Sequence, residues 1–96
     1  MSFNDHLERD AAKLREEFGP AEAIVEVQNH GLPLLRAFCA DQMIVKLQEE
    51  KYLLAAVPWH ERRTKRDLRR FFAMEREEID RRLALCESVA KAWGIK

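Results

Sequence analysis

The sequence predicts an α+β fold: an N-terminal helix, a small antiparallel β-sheet arranged as a meander, and a long C-terminal amphipathic helix. Three observations lead there. Phe3, Leu7, Ala11, Leu14 and Phe18 recur at spacings of four and three, which draws one apolar stripe on a helix. Ala23, Val25 and Val27 alternate with Ile24, Glu26 and Gln28, a β-branched pattern that suits a strand. Leu68, Phe72, Ile79, Leu83, Cys86, Ala90 and Trp93 share one face of a second helix, with Arg76 interrupting the row.

The first helix spans 3–18. Ser2 or Asn4 can cap its start, and Gly19 followed by Pro20 stops it, because glycine tolerates the left-handed conformation and proline cannot continue a helix. The sheet occupies 22–57. Asn29-His30-Gly31 supplies a turn, and Leu32–Arg36 runs back as the partner strand, which Pro33 confines to an edge or a bulge. Ala40-Asp41-Gln42 turns again, Met43–Gln48 alternates as a third strand, and Glu49-Glu50 leads into Lys51–Val57. The alternative is an all-α bundle of three or four helices. It rests on Pro33 near a helix start and on Leu35, Cys39, Met43 and Leu47 at i, i+4 spacing, with Leu54 continuing the line.

The last helix spans about 62–93. Thr64 and Asp67 have capping-box spacing, and Gly94 ends it. Glu77 with Arg81, Glu78 with Arg82 and Glu87 with Lys91 are i, i+4 pairs in the favoured order. Thirty residues at about 1.5 Å each reach ~45 Å, longer than a small domain is wide. The far end of the stripe therefore packs on the first helix or forms a homodimer through Phe72, Ile79, Leu83, Cys86 and Trp93.

Composition bounds the function. Ninety-six residues make one domain, 1–96, with too few residues to wall a deep pocket. Net charge is +0, from 17 basic and 17 acidic residues, so no overall field draws the chain to DNA or an anionic membrane. Any electrostatic role must come from local segregation of charge. Two cysteines, Cys39 and Cys86, are too few for a disulfide scaffold and fit reduced thiols in the cytoplasm. The N-terminus has no apolar signal core, and no stretch approaches a membrane span.

The informative cluster is Arg62, Arg63, Lys65, Arg66, Arg69 and Arg70. It sits at a helix N-terminus, where the macrodipole disfavours positive charge. Trp59 and His60 precede it, and Trp with Arg is a composition enriched at binding hot spots. A solvated face paired with nearby acids is the plain reading of such a run. The functional reading is contact with an acidic protein surface or with phosphates.

Other residue types give less. Histidines 6, 30 and 60 show no metal-ligand spacing, so no metal or other cofactor is expected. Cys86 lies on the apolar stripe, the setting of an inert core thiol. The paired glutamates 16-17, 49-50 and 77-78 lie in polar surroundings that would not tune a general acid or base. The expectation is a small non-enzymatic interaction protein that docks on a larger protein and modulates it, in the manner of the small modulators that phages and mobile elements carry. The alternative is nucleic-acid binding through residues 59–70.

Overall fold

The computed structural model describes residues 18–95, and those residues are all-α. Three helices follow in order: α1 over Pro20–His30, α2 over Leu32–Ala56 and α3 over Arg62–Trp93. Apart from Phe18, the expected helix over 3–18 lies outside the described residues.

The expected meander is overturned: no strand occurs among the described residues, and the bundle alternative fits. The physical reason is a contest of magnitudes. β-branched residues cost a helix at most about 0.7 kcal/mol each. Burying one such side chain returns roughly 1.5–3 kcal/mol. In α1, helical spacing places Ala23 and Val27 together in the core, 0% and 1% exposed, and leaves Val25 outside. Pro20 occupies the first turn, where its missing N–H costs nothing. The Gly19 N–H donates to Glu22 Oε2 at 3.0 Å, which satisfies a further orphan donor. Gly19-Pro20, expected as a helix stop, is where α1 starts.

The expected turn at Asn29-His30-Gly31 becomes a junction between helices. Gly31 adopts φ 79 and ψ 154, a conformation that L side chains rarely reach. Its N–H donates to the Val27 carbonyl at 2.9 Å, and its carbonyl accepts from Leu35 at 3.1 Å. One glycine therefore closes α1 and opens α2, with Pro33 in the new first turn.

α3 begins at Arg62, with Glu61 as its N-cap and no side-chain cap; the Thr64–Asp67 box is not what starts it. Gly94 ends it at φ 66, as expected. Its 32 residues rise about 48 Å and form the spine against which α1 and α2 pack. One core cluster joins Ala23, Val27, Leu35, Cys86, Val89 and Ala90, with Phe18 and Leu83 packed on it. Farther along α3, Leu68, Phe72 and Ile79 are buried too.

α2 runs antiparallel to α3, and three ion pairs fix the register. Arg36 Nε meets Glu87 Oε1 at 3.0 Å, Lys46 Nζ meets Glu75 Oε2 at 2.8 Å, and Arg76 Nη1 meets Glu50 Oε2 at 2.7 Å. Arg76, which interrupts the apolar row, is the cross-helix partner of a half-buried glutamate. Glu87 pairs across to Arg36, a contact the i, i+4 reading with Lys91 did not foresee. No helix among the described residues is long and apolar enough to cross a membrane.

Candidate interaction site

Residues 57–61 turn the chain from α2 into α3 at one end of the bundle. The Val57 N–H donates to the Leu54 carbonyl at 3.3 Å, and the Glu61 N–H donates to the Pro58 carbonyl at 3.0 Å. These bonds hold a tight turn with Trp59 and His60 at its apex. Their rings meet edge to face, 5.7 Å apart at 86°. Trp59 is nevertheless 80% exposed, so it does not pack beneath the loop. An indole of that size left in water is the kind of apolar group that binding surfaces use.

The basic cluster follows along the first two turns of α3. Leu68 and Phe72 turn inward and are buried, which sends Arg62, Arg63, Arg66, Arg69 and Arg70 outward. Lys65 is half-buried. Arg62, Arg63, Lys65, Arg66 and Arg69 make no ion pair within the described residues. The first turn of α3 holds no acid to oppose them. The solvated-face reading expected arginines paired with acids such as Asp67; these five are not.

The homodimer stripe stands differently. Phe72, Ile79 and Cys86 are 1%, 9% and 3% exposed, and Leu83 packs on the same core. Cys86 sits in the cluster that joins α1, α2 and α3, with Leu83 packed on it, and Phe72 and Ile79 are buried, so these side chains are not free to hold a second chain. Trp93, 66% exposed, is the one member of that stripe left outside.

Elsewhere the bundle consumes its own polar groups. Glu78, 6% exposed, accepts from Arg81 Nε at 3.1 Å and Nη2 at 2.6 Å, with Arg82 Nε at 3.6 Å. Arg81 Nη2 also donates to the Phe18 carbonyl at 3.2 Å, and the Arg82 guanidinium lies 4.9 Å over the Phe18 ring. That clamp ties the entry of α1 to the spine. Contact with the Glu78 carboxylate holds Arg81 above its ordinary range.

Two open clefts lie along the α2–α3 seam. One brings together Lys46, Glu75, Glu78 and Arg82, all engaged in the pairs above or beside them. The other holds Cys39 and Cys86 among Phe18, Leu35 and Phe38. Burial pushes both thiols above the usual 9.0, Cys39 with Asp80 adding and Cys86 with Cys39 adding. Both are therefore protonated at neutral pH, the opposite of an activated nucleophile. Among the described residues no group of His, Cys, Asp and Glu is placed to hold a metal ion. His30 stands apart, beside Glu26 at 3.5 Å and edge-on to Phe38.

One surface went unread in the sequence. α2 exposes Leu34, Phe38, Ile44, Val45, Leu47 and Tyr52, the last 77% in water, while Leu35 is its one buried residue. The available signal was a helix apolar on every side, which ordinarily means burial. The strand reading absorbed that signal as alternation. No protein family, curated relative or solved structure matches this chain.

Proposed function

We propose that this chain is a small non-enzymatic interaction protein that docks on a larger, acidic protein surface through the α2–α3 turn and modulates that protein's activity. One observation supports it above the others: Trp59 is 80% exposed beside cations that lack partners among the described residues. Exposed Trp flanked by Arg is the composition of a binding hot spot, with the indole as anchor and the guanidinium groups as steering charges. Unpaired charge at the wrong end of a helix costs stability, and a docking role gives that cost a purpose.

Nucleic acid would also meet an indole and arginines. The balance of charge favours protein, because dedicated nucleic-acid domains are usually basic overall and this chain is neutral. Salt separates the two. Fluorescence anisotropy on labelled single- and double-stranded DNA and RNA should show no binding at low salt; binding that falls steeply with added salt would favour the nucleic-acid reading.

The direct test is a photo-reactive amino acid at position 59, with a control at exposed Ser88. The expected result is a discrete, nuclease-resistant protein adduct from position 59 alone, lost in Arg66→Glu/Arg69→Glu. Equal adducts from both positions, or adducts indifferent to the reversal, would remove the tip from the docking surface.

A further inference from the structure

The outward face of α2 carries a pattern that a second copy of the same chain would complete. Leu34, Ala37, Asp41, Ile44, Gln48, Lys51 and Ala55 follow alternating spacings of three and four. That is the heptad seam of a coiled coil. Every one of them is exposed. Leu35, Cys39, Met43, Lys46 and Glu50 take the side toward α3, and of the seam residues Asp41 also edges the cleft that α2 shares with Glu75, Glu78 and Arg82. Beside the seam lie Phe38, Val45 and Tyr52 on one flank and Ala40 and Leu47 on the other. Asp41 and Lys51 make no ion pair within the described residues.

We propose that this face is a homodimer interface in which α2 packs antiparallel on α2 of a second copy, about a two-fold axis near Lys46. The seam is self-complementary in that orientation and in no other. Asp41 and Lys51 lie equally far on either side of Lys46, as do Ile44 with Gln48 and Ala37 with Ala55. Turning a second copy end for end therefore sets each Asp41 against Lys51 of that copy, and each Ile44 against the stem of its Gln48. The alanines at the ends let the backbones approach. On the flanks, antiparallel coiled-coil geometry brings Val45 to Val45, Leu47 to Leu47 and Phe38 to Tyr52 of the second copy. A parallel pair would set Asp41 on Asp41 and Lys51 on Lys51, two repulsive layers. The five large apolar side chains at Phe38, Ile44, Val45, Leu47 and Tyr52, each 45% to 77% exposed, all gain cover in the antiparallel pair.

The interface uses none of the residues of the buried α3 stripe, and the basic cluster on α3 lies outside it. The proposal thus stands or falls independently of docking through Trp59. An antiparallel pair would send its two α2–α3 turns to opposite ends, so that one dimer presents two docking tips.

Sedimentation equilibrium on the full chain across the micromolar range tests it. Wild type should approach dimer as concentration rises, and Ile44→Glu should sediment as a monomer with unchanged helical circular dichroism. Asp41→Lys and Lys51→Asp should each weaken the dimer on the order of tenfold, because two symmetric pairs turn repulsive at once. The double variant Asp41→Lys/Lys51→Asp should recover to within about threefold of wild type, since the pairs are restored with signs exchanged. A wild-type monomer at the highest concentration would overturn the interface. A dimer untouched by Ile44→Glu would overturn the face. A double variant no tighter than the singles would overturn the antiparallel register.

Discussion

Arg62, Arg63 and Lys65 stand in the first turn of α3, where free N–H groups already make the environment positive. Removing that conflict should stabilise the fold even as it damages function. Arg62→Glu/Arg63→Glu is expected to gain about 1 kcal/mol, read as a melting temperature a few degrees higher. A lower melting temperature would mean that these guanidinium groups hold the fold. Gly31 makes the opposite case. Its backbone lies where only glycine is comfortable, and a Cβ there would meet nothing closer than Pro33 Cδ at 3.9 Å. Gly31→Ala should therefore lose about 1–3 kcal/mol from backbone strain alone, seen as a lower urea midpoint at unchanged slope. Phe72, 1% exposed, is the largest fully buried side chain. Phe72→Ala should cost roughly 3–5 kcal/mol by leaving a cavity along the spine. A urea midpoint close to wild type would place Phe72 outside the core.

At the scale of the elements, α2 and α3 are held in register by polar pairs as much as by apolar contact. Lys46 is raised above its ordinary 10.5 chiefly by its bond to Glu75, against the opposing effect of burial. A cation with a raised folded-state pKa contributes stability that is fully present below 10.5 and is lost as pH climbs through the folded value. The protonated thiols of Cys39 and Cys86 act in the same direction from 9.0 upward. Stability should thus be flat through neutral pH and fall on the alkaline side, and Lys46→Met should flatten the part above 10.5. An unchanged alkaline limb in that variant would break the link to Glu75.

The same elements show what a single sequence can and cannot disclose. α3 was legible, bounds included, because its apolar row from Leu68 to Trp93 repeats over about seven turns and no strand could hold it. The junction at Gly31 was legible as a break, since Asn29-His30-Gly31 ends in a glycine free to take positive φ and marks a turn in any fold. α1 and α2 were not. Val25 and Val27 alternate and also sit on a helix, and over so few residues the two periods give the same letters. α2 misled for a different reason: its apolar residues lie all round, so no helical stripe stands out against a strand. The cationic tip was readable as a cluster, whereas the lack of ion pairs at Arg62, Arg63, Lys65, Arg66 and Arg69 within the described residues depends on which acids the fold brings near.

For the whole molecule, a neutral chain has sorted its charge by position. The middle of the α2–α3 hairpin pairs its ions internally, and the turn end leaves cations and an indole facing water. A rigid hairpin that presents an aromatic anchor at its apex needs no pocket to act, only a partner surface with negative charge and room for one indole. The measurement that bears most directly on this claim is photo-crosslinking from position 59 in a host lysate, repeated with Arg66→Glu/Arg69→Glu and with nuclease. One nuclease-resistant protein adduct that disappears on charge reversal is the expected result. Adducts of equal yield from Ser88, or persistence after reversal, would contradict a docking role for the tip.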